Sequence, residues 1–297
     1  MIKVCLTGAT GFIGGNLIEF LLNKEVNLIL VLRNKSAEAK IKKEYLIKTK
    51  TCFYENNIDN LTEFFNNEKP DAIIHLASLF LSNHSKNNIS DLLKSNIKFG
   101  VDLLEAAKIE NVPYFINTST SWEHYNDEDY NPVNLYAATK KAFESILIFY
   151  VKSYNINAIT LKLFDTYGLN DNRNKLINFL ISNIGNENEI KLTPGDQKIS
   201  LVHVNDVCEA YYQTLNLIKK SKVEHKVYYL DANEHFSIKE IVKIIENVTN
   251  VKLKINWGGI PYSNRQVMNV YSVKERLPNW EPKEKFMQGL KKILGEK

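Results

Sequence analysis

The chain has 297 residues, of which 44% are hydrophobic and 24% charged, as in ordinary soluble globular proteins. Its formal net charge is only +4, from 38 basic and 34 acidic residues, an excess too small to indicate nucleic-acid binding. No apolar run is long enough to span a bilayer, and the first residues form a strand pattern rather than a signal peptide. The composition argues against membrane and nucleic-acid partners, and we expect a cytoplasmic protein.

Three widely separated cysteines, Cys5, Cys52 and Cys208, form neither a CxxC pair nor a metal-ligand pattern with histidine. A sparse and odd count of this kind predicts buried free thiols in a reducing compartment. We therefore expect neither disulfides nor a bound metal.

Short apolar runs alternate with helix patterns over the first half of the chain. Residues 2–8 (IKVCLTG) and 26–34 (VNLILVLRN) predict strands, and an amphipathic helix pattern that starts at Phe12 separates them. The later strand patterns IIHLAS, PYFINTST and NAITLKLF each follow a helix pattern. This alternation predicts a Rossmann-type α/β fold, a doubly wound parallel sheet with helices on both faces.

The pattern loosens after about Tyr167. We therefore divide the chain into a predicted NADP-binding Rossmann domain, residues 1–166, and a smaller α/β substrate lobe, residues 167–297. Segments near residues 200–232 are expected to return to the main sheet. Within the lobe, Ser237 and Glu240 have the spacing of a capping box at the start of a helix.

Three glycines, Gly8, Gly11 and Gly14, lie where the first predicted strand meets the first predicted helix. In such a unit glycines permit a tight turn, close approach of a pyrophosphate and close packing of the helix on the strand. The free N–H groups at the helix N-terminus then favour the phosphates. The spacing is GxxGxxG rather than GxGxxG, but its place between strand and helix predicts a dinucleotide-binding turn.

The end of the second strand distinguishes NAD from NADP. A carboxylate there binds the ribose 2′-hydroxyl of NAD, whereas an arginine accommodates the 2′-phosphate of NADP. Here Arg33 and Lys35 follow the strand, and the first carboxylate after them is Glu38. The sequence therefore favours NADPH/NADP over NAD.

Tyr136 and Lys140 lie four residues apart on a predicted helix and so share one face. Because a nearby ammonium favours the ionised phenol, we expect the pKa of Tyr136 to lie below its usual value of about 10. The strand FINTSTSW upstream places hydroxyls at the sheet edge where α/β proteins bind ligands. Together these groups predict proton exchange with a substrate oxygen.

Eight segments carry a family resemblance: TGATGFIGG, IIHLAS, SNIKFGVDLLEAAK, FINTSTSW, YAATK, KLFDTYG, LVHVNDVCEAY and NWEP. Through them the chain resembles the extended short-chain dehydrogenase/reductases, the group of NAD(P)-dependent nucleotide-sugar epimerases, dehydratases and reductases. The resemblance covers essentially the whole chain.

This resemblance implies roles for individual residues. Thr120 is expected to orient the substrate oxygen, Tyr136 to donate the proton, and Lys140 to assist it and hold the nicotinamide ribose. Asn96 matches a family asparagine, for which a packing role stays open. The residues expected to contact the cofactor are Gly8, Gly11, Phe12, Ile13, Gly14, Arg33, Leu76, Ala77, Ser78, Tyr136 and Lys140.

The residues around the catalytic threonine bear on the reaction. Dehydratases of the family carry Asp-Glu directly after it, whereas this chain has Ser121 and Trp122, which are neither acids nor bases. Epimerases of the family usually retain NAD and carry a carboxylate where Arg33 stands. Both features favour a reductase that consumes NADPH. Through IIHLA, FINT, GDQKISLVHVNDV and NWEP the chain most resembles the CDP-abequose and CDP-paratose synthases, which reduce the 4-keto group of a CDP-linked 3,6-dideoxy sugar for surface polysaccharides.

The expected substrate site departs from the family pattern. Many relatives have Arg-Asp where this chain has Ile199 and Ser200, and that arginine commonly touches the nucleotide diphosphate. Lys198 or Arg265 remain as alternatives for this contact. The residues expected to contact a nucleotide-sugar substrate are His84, Ser121, Trp122, Asp165, Lys175 and Arg265.

Two other functions stay open at this point. An epimerase of the same fold would hold NAD tightly, and a non-catalytic dinucleotide sensor would be expected to lack the tyrosine or the lysine. The family also implies a homodimer that pairs the helix carrying Tyr136 and Lys140.

Overall fold

A computed structural model describes residues 1–220 and 224–295 of the chain. The strands are β1 (Lys3–Thr7), β2 (Asn27–Leu32), β3 (Lys50–Phe53), β4 (Ala72–His75), β5 (Tyr114–Thr120), β6 (Asn157–Leu163), β7 (Asp165–Tyr167), β8 (Ile190–Leu192), β9 (Lys198–His203), β10 (His225–Leu230), β11 (His235–Ser237) and β12 (Ile255–Trp257). The α-helices are α1 (Phe12–Asn23), α2 (Lys43–Ile47), α3 (Ile58–Glu68), α4 (Ile89–Leu93), α5 (Phe99–Ile109), α6 (Leu135–Ser153), α7 (Leu176–Ser182), α8 (Val204–Lys220), α9 (Ile238–Thr249) and α10 (Phe286–Leu294).

Seven strands form the main sheet, in the order β10-β6-β5-β4-β1-β2-β3, and every pairing in it is parallel. Helices α1 and α8 pack on one face, and α3, α5 and α6 pack on the other. The strands read as nearly continuous apolar runs because both faces of a parallel sheet are covered. The predicted Rossmann-type fold is confirmed.

The order of the strands reverses between β1 and β4, because the chain runs outward through β2 and β3 and then returns to the other side of β1. Open α/β sheets bind ligands at such a point, outside the carboxyl ends of the strands. The ends of β1, β4 and β5, together with the start of α6, are therefore where a site is expected.

A second core lies beside this edge and includes Tyr167, Leu180, Ile241 and Phe286. Around it β7, β9 and β11 form a three-stranded sheet, and β8 pairs with β12. β10, which follows α8, lies in the main sheet, whereas β9 lies in the small one. Helix α9 starts at the predicted capping box, in which the Ser237 hydroxyl accepts the N–H of Glu240 at 3.2 Å.

Residues 89–112 (ISDLLKSNIKFGVDLLEAAKIENV) have the pattern of one long amphipathic helix, but in the structure this helix is interrupted. A π-helical turn at Lys94–Lys98 separates α4 from α5. Within this turn Asn96 is fully buried, and its side chain bonds the backbone N–H of Leu79 at 2.6 Å, the carbonyl of Leu79 at 3.0 Å and the hydroxyl of Thr139 at 2.9 Å. The irregular turn thus lets Asn96 tie the loop after β4 to α6.

All three cysteines are buried and free. Burial raises the pKa of each thiol, which makes them unreactive packing groups. Over residues 1–220 and 224–295, the structure has no helix with the length and apolar character needed to cross a bilayer.

Candidate active site

The turn between β1 and α1 has no room for side chains at two of its glycines. Gly8 has a φ of +72°, and a Cβ there would lie 2.7 Å from the backbone nitrogen of Ala77. A Cβ at Gly14 would lie 2.1 Å from the carbonyl oxygen of Gly8. Both positions therefore require glycine, the first for its left-handed backbone and the second for the close contact of helix and strand.

Helix α1 presents an open N-terminus to this turn. Gly11 is its N-cap, no side chain caps it, and its first turn carries no acidic residue. Phe12 and Ile13 are the first two residues of the helix and are partly buried against the main core. Unsatisfied N–H groups with no competing carboxylate are suited to an anion such as a pyrophosphate.

The loop after β4 lies beside the same turn. The Thr7 hydroxyl accepts the backbone N–H of Ala77 at 3.2 Å and bonds Nδ1 of His75 at 2.9 Å. His75 is fully buried, and burial holds its pKa well below the usual value, so it is a neutral packing residue. Leu76 and Ser78 flank Ala77, so all three predicted cofactor residues of this loop lie close to the glycine turn.

Arg33 lies directly after β2 and is exposed. Within the described chain its guanidinium has no hydrogen-bond or ion-pair partner. The backbone beyond it is fixed, because the carbonyl of Arg33 accepts the N–H of Glu55 at 3.1 Å. A free cation on a fixed strand end is suited to bind the ribose end of a dinucleotide.

The hydroxyls at the end of β5 have different partners. Thr118 pairs with the hydroxyl of Tyr211 at 2.6 Å, and Ser119 donates to the carboxylate of Glu123. Thr120 accepts the backbone N–H of Trp122 at 3.2 Å, and its own proton has no acceptor among the described residues. Among the three hydroxyls at the end of β5, Thr120 is therefore the one whose proton is free for a ligand.

Lys140 on α6 is only 2% exposed. Burial lowers the pKa of its ammonium to about 8, although the nearby carboxylates Glu123 and Glu144 act in the opposite direction. Its Nζ has no hydrogen-bond partner in the part of the chain described. A buried ammonium without an acceptor is costly, and two ribose hydroxyls of a nicotinamide nucleotide would satisfy it. Together with the glycine turn, this fits a bound dinucleotide.

Tyr136 begins the same face of α6, one turn before Lys140. Its pKa is raised to about 12, chiefly by burial, with a smaller contribution from the Glu123 carboxylate and an opposing hydrogen bond from Ser78. The expectation that the ammonium of Lys140 lowers this pKa is wrong for the protein alone, because desolvation of the phenolate dominates. Tyr136 is thus protonated at neutral pH and suited to act as an acid.

One aromatic side chain, Phe80, packs against Tyr136. The ring of Phe80 lies edge-on to Tyr136 with centroids 5.0 Å apart and contacts Trp122 at 5.5 Å. The ammonium of Lys175 sits 4.0 Å from the centroid of Phe80 and pairs with the carboxylate of Asp165 at 3.8 Å. Lys175, from the start of α7, therefore bridges the two lobes beside the predicted proton donor.

A cavity of about 580 Å³ opens next to these residues, between the sheet edge and the second core. Five of the six predicted substrate residues line it: His84, Ser121, Trp122, Asp165 and Arg265. Lys175 is not part of the lining but pairs with Asp165, which is. The volume is that of a small-molecule site.

Arg265 lines this cavity, and contacts with neighbouring side chains hold its guanidinium in place. Its guanidinium lies 4.3 Å above the ring of Tyr125 and donates from Nη2 to Asn131, while its Nε is buried without a partner among the described residues. Ile199 and Ser200 also line the cavity, and the hydroxyl of Ser200 is already bonded to Asp231 at 2.8 Å. Lys198 lies exposed at the cavity edge.

The sequence interpretation missed a buried charge network directly behind Thr120. Glu123 pairs with Lys162 at 2.9 Å, and both side chains are almost fully buried. Lys162 also donates to Nε2 of His124 at 3.1 Å, and burial with the nearby Lys162 lowers the pKa of His124 to about 4. The available signal was a lysine in the middle of the apolar strand pattern NAITLKLF, which requires a buried partner.

Several known proteins are similar to this chain over nearly their whole length. The chain is 29% identical to a CDP-abequose synthase of Yersinia pseudotuberculosis, over 94% of this chain and 97% of that protein. It is 26% identical to a CDP-abequose synthase of Salmonella muenchen, over 99% and 98% of the two chains. Among solved structures, a UDP-glucose-4-epimerase from Stenotrophomonas maltophila with bound NAD has a TM-score of 0.87 at 16% identity, covering 99% of this chain and 97% of that one.

The model of the NAD dependent epimerase/dehydratase family matches most of the chain and not the glycine turn alone. The match extends over residues 4–229 and so includes the turn, the Thr120–Tyr136–Lys140 group and most of the main sheet. The resemblance to the extended short-chain dehydrogenase/reductases is confirmed: the chain is an enzyme of the NAD dependent epimerase/dehydratase family.

Proposed function

We propose that this enzyme uses NADPH to reduce the 4-keto group of a nucleotide-linked 6-deoxy or 3,6-dideoxy hexose, for surface polysaccharide synthesis. The similarity to CDP-abequose synthases over nearly the whole chain supports a nucleotide-sugar substrate. The observation that carries the proposal is the combination at the sheet edge of a protonated Tyr136 with an exposed, unpaired Arg33.

The protonation state of Tyr136 supports reduction. A ketone that accepts a hydride at carbon also needs a proton at oxygen, and burial keeps the proton on Tyr136 by raising its pKa to about 12. The ligand-free site is thus set for proton donation.

The proposed mechanism assigns a role to each of the three residues at the sheet edge. Thr120 donates a hydrogen bond to the substrate oxygen, and Tyr136 transfers its proton to that oxygen as negative charge develops there. The ammonium of Lys140 stabilises the phenolate left on Tyr136 and holds the ribose of the cofactor. Bound NADPH would supply the hydride to the carbonyl carbon.

The surroundings of Thr120 argue against dehydration. Ser121 and Trp122 contain no titratable group, and the next residue, Glu123, is fully buried against Lys162 and Ser119. A carboxylate held in this way does not reach a sugar in the cavity. The loop after β5 therefore lacks the acid and base that removal of water requires.

Arg33 supports NADPH over NAD. Its guanidinium can bind a 2′-phosphate with two hydrogen bonds, whereas the carboxylate that would select NAD is absent from the end of β2. Some structural neighbours, including the Stenotrophomonas epimerase, hold NAD. An NAD-dependent epimerase is accordingly the second candidate.

Arg265 is our candidate for the diphosphate of the substrate. Its buried Nε lacks a partner in the described chain, so a phosphate oxygen would satisfy it. Ile199 offers no such contact, and Lys198 at the cavity edge supplies at most a second, solvated charge.

We also propose a homodimer through α5 and α6. Phe149 on α6 is 55% exposed and Ile109 at the end of α5 is 49% exposed, although both are large apolar residues. Paired outer faces of these helices would cover them.

The test is a substrate screen that follows the loss of NADPH absorbance. Purified enzyme is mixed with 4-keto-6-deoxy and 4-keto-3,6-dideoxy sugars linked to CDP, dTDP or GDP. We expect oxidation with at least one of them. Absence of oxidation with all of them, together with tightly bound NAD in the purified protein, would favour the epimerase.

A further inference from the structure

The segment between β7 and α7, residues 168–175, reaches from the substrate lobe back to the dinucleotide-binding turn. The guanidinium carbon of Arg173 lies 4.2 Å from the centroid of the Phe12 ring. Phe12 is the first residue of α1 and follows the N-cap Gly11. A cation from one lobe is therefore stacked at the helix end that is expected to bind phosphate in the other.

The guanidinium of Arg173 is firmly held. Its Nε and Nη2 donate to the two carboxylate oxygens of Asp171 at 2.7 and 2.8 Å, and Nη2 also donates to the carbonyl of Thr166 at 2.8 Å. The side-chain amide of Asn178 donates to the carbonyls of Asp171 and Arg173 at 2.7 and 2.9 Å. The planar group is thus pre-oriented rather than free in solvent.

One end of this guanidinium remains unused. Nη1 carries two N–H donors, and neither has a partner within residues 1–220 and 224–295. Arg173 is about one-third exposed, so an anion can approach it. The Phe12 ring that stacks on this guanidinium belongs to the first residue of α1, whose open N-terminus is suited to an anion.

We propose that Arg173 is a cofactor-binding residue supplied by the substrate lobe, and that its Nη1 donates to the pyrophosphate of the bound dinucleotide. The open N-terminus of α1 would then hold one side of the pyrophosphate and Arg173 the other. This inference rests on the proposed cofactor site and on its binding of NADPH, but not on reduction or on the sugar.

Asp171 gives the proposal a distinctive consequence. Its carboxylate is 3% exposed and offsets part of the charge of Arg173. If Arg173 acts on the pyrophosphate, removal of the Asp171 charge strengthens the attraction. If the Arg173–Asp171 pair only holds the segment in place, loss of either partner weakens cofactor binding to the same extent.

The experiment measures dissociation constants of NADPH for the full-length enzyme by fluorescence, with adenosine 2′-monophosphate as the fragment that lacks a pyrophosphate. We expect Arg173→Met to weaken NADPH binding about ten-fold or more, the effect of one or two hydrogen bonds to a charged group. The same variant should leave fragment binding within about two-fold. Asp171→Asn should bind NADPH at least as tightly as the wild type.

A second variant, Arg173→Lys, tests the same contact in case the methionine variant misfolds. A lysine cannot keep both contacts to Asp171 and a donor toward the pyrophosphate, so NADPH binding should again weaken while the melting temperature stays near that of the wild type. An unchanged NADPH affinity in both Arg173 variants overturns the proposal. So does an Asp171→Asn variant that loses as much affinity as Arg173→Met. Because no sugar is present, a failure here is distinct from a failure of the reductase proposal.

Discussion

The two sides of the catalytic cleft are built differently. The side proposed to bind the cofactor is formed by backbone contacts and buried groups, such as the left-handed Gly8 and the ammonium of Lys140, which has no partner among the described residues. The substrate side is formed by charged side chains on loops, such as Lys175 and Arg265, which already contact other groups of the protein. The first side is rigid and depends on the fold, whereas the second can be rearranged by substitution.

We infer from this difference that the fold governs the proposed reaction, whereas cavity side chains govern which substrate is bound. The sheet edge positions Thr120, Tyr136 and Lys140 through strand and helix geometry, so the fold itself places the groups to which we assign the proton transfer. The cavity takes its charges from Asp165 on β7, Lys198 on β9 and Arg265 after β12, and the loop that carries Arg265 can change without disturbing the main sheet. The substitutions below test this separation, from the largest expected effect to the smallest.

The first substitution removes the proton donor. We expect Tyr136→Phe to lower kcat by about 10²- to 10⁴-fold, the usual contribution of a positioned acid. NADPH binding should stay near that of the wild type, because Lys140 and the glycine turn are unchanged. Steady-state kinetics and a binding titration check the two halves; a variant with near-normal kcat would mean that another group delivers the proton.

The second substitution tests the rigidity of the cofactor side. In Gly14→Ala the new methyl group would lie 2.1 Å from the carbonyl oxygen of Gly8, so the backbone must shift. We expect a loss of about 1–3 kcal/mol in unfolding free energy and clearly weaker NADPH binding. Gly15→Ala is the matched control, because the nearest atom to its Cβ is 3.9 Å away. Equal behaviour of the two variants in chemical denaturation and titration would show that the turn is not closely packed.

The third substitution addresses the substrate side. We expect Arg265→Met to raise KM for the nucleotide sugar about ten-fold or more, since a charged hydrogen bond to phosphate is lost, with a smaller effect on kcat. Lys198→Met is the comparison at the other end of the cavity and should raise KM only slightly, because Lys198 is exposed. A larger effect at Lys198 than at Arg265 would instead place the diphosphate beside Ile199, where many relatives carry an arginine.

The smallest effect is a shift of a pH profile. Burial lowers the pKa of Lys140 to about 8, so the ammonium is present below that pH and is lost as the pH rises through it. We therefore expect kcat/KM, which reports the titration of the free enzyme, to fall above about pH 8. Glu144 raises the pKa of Lys140, so Glu144→Gln should move this decline to lower pH.

A distant carboxylate provides the control for this shift. Glu240 caps α9 in the second core and does not act on Lys140. Glu240→Gln should leave the pH profile in place even if it lowers the melting temperature. A decline that does not move in Glu144→Gln would mean that Lys140 does not control the alkaline limb.

The same division explains how much could be predicted from the sequence. The parallel sheet and the glycine turn followed from local patterns, since apolar runs and glycines act through their own backbone. The direction of the Tyr136 pKa shift did not, because it depends on burial by Phe80 and neighbouring loops that are distant in sequence. The contact of Arg173 with Phe12 was likewise hidden, since it joins two segments 161 residues apart.

The central claim is the transfer of a hydride from NADPH to a sugar ketone, and isotope transfer tests it most directly. The enzyme is incubated with a 4-keto nucleotide sugar and NADPH carrying deuterium at the transferred position, and the product is analysed by mass spectrometry. The account predicts a product that has gained one deuterium at C4 for each NADPH oxidised. A sugar that is interconverted with its epimer without gaining deuterium, and with no NADPH consumed, would contradict it.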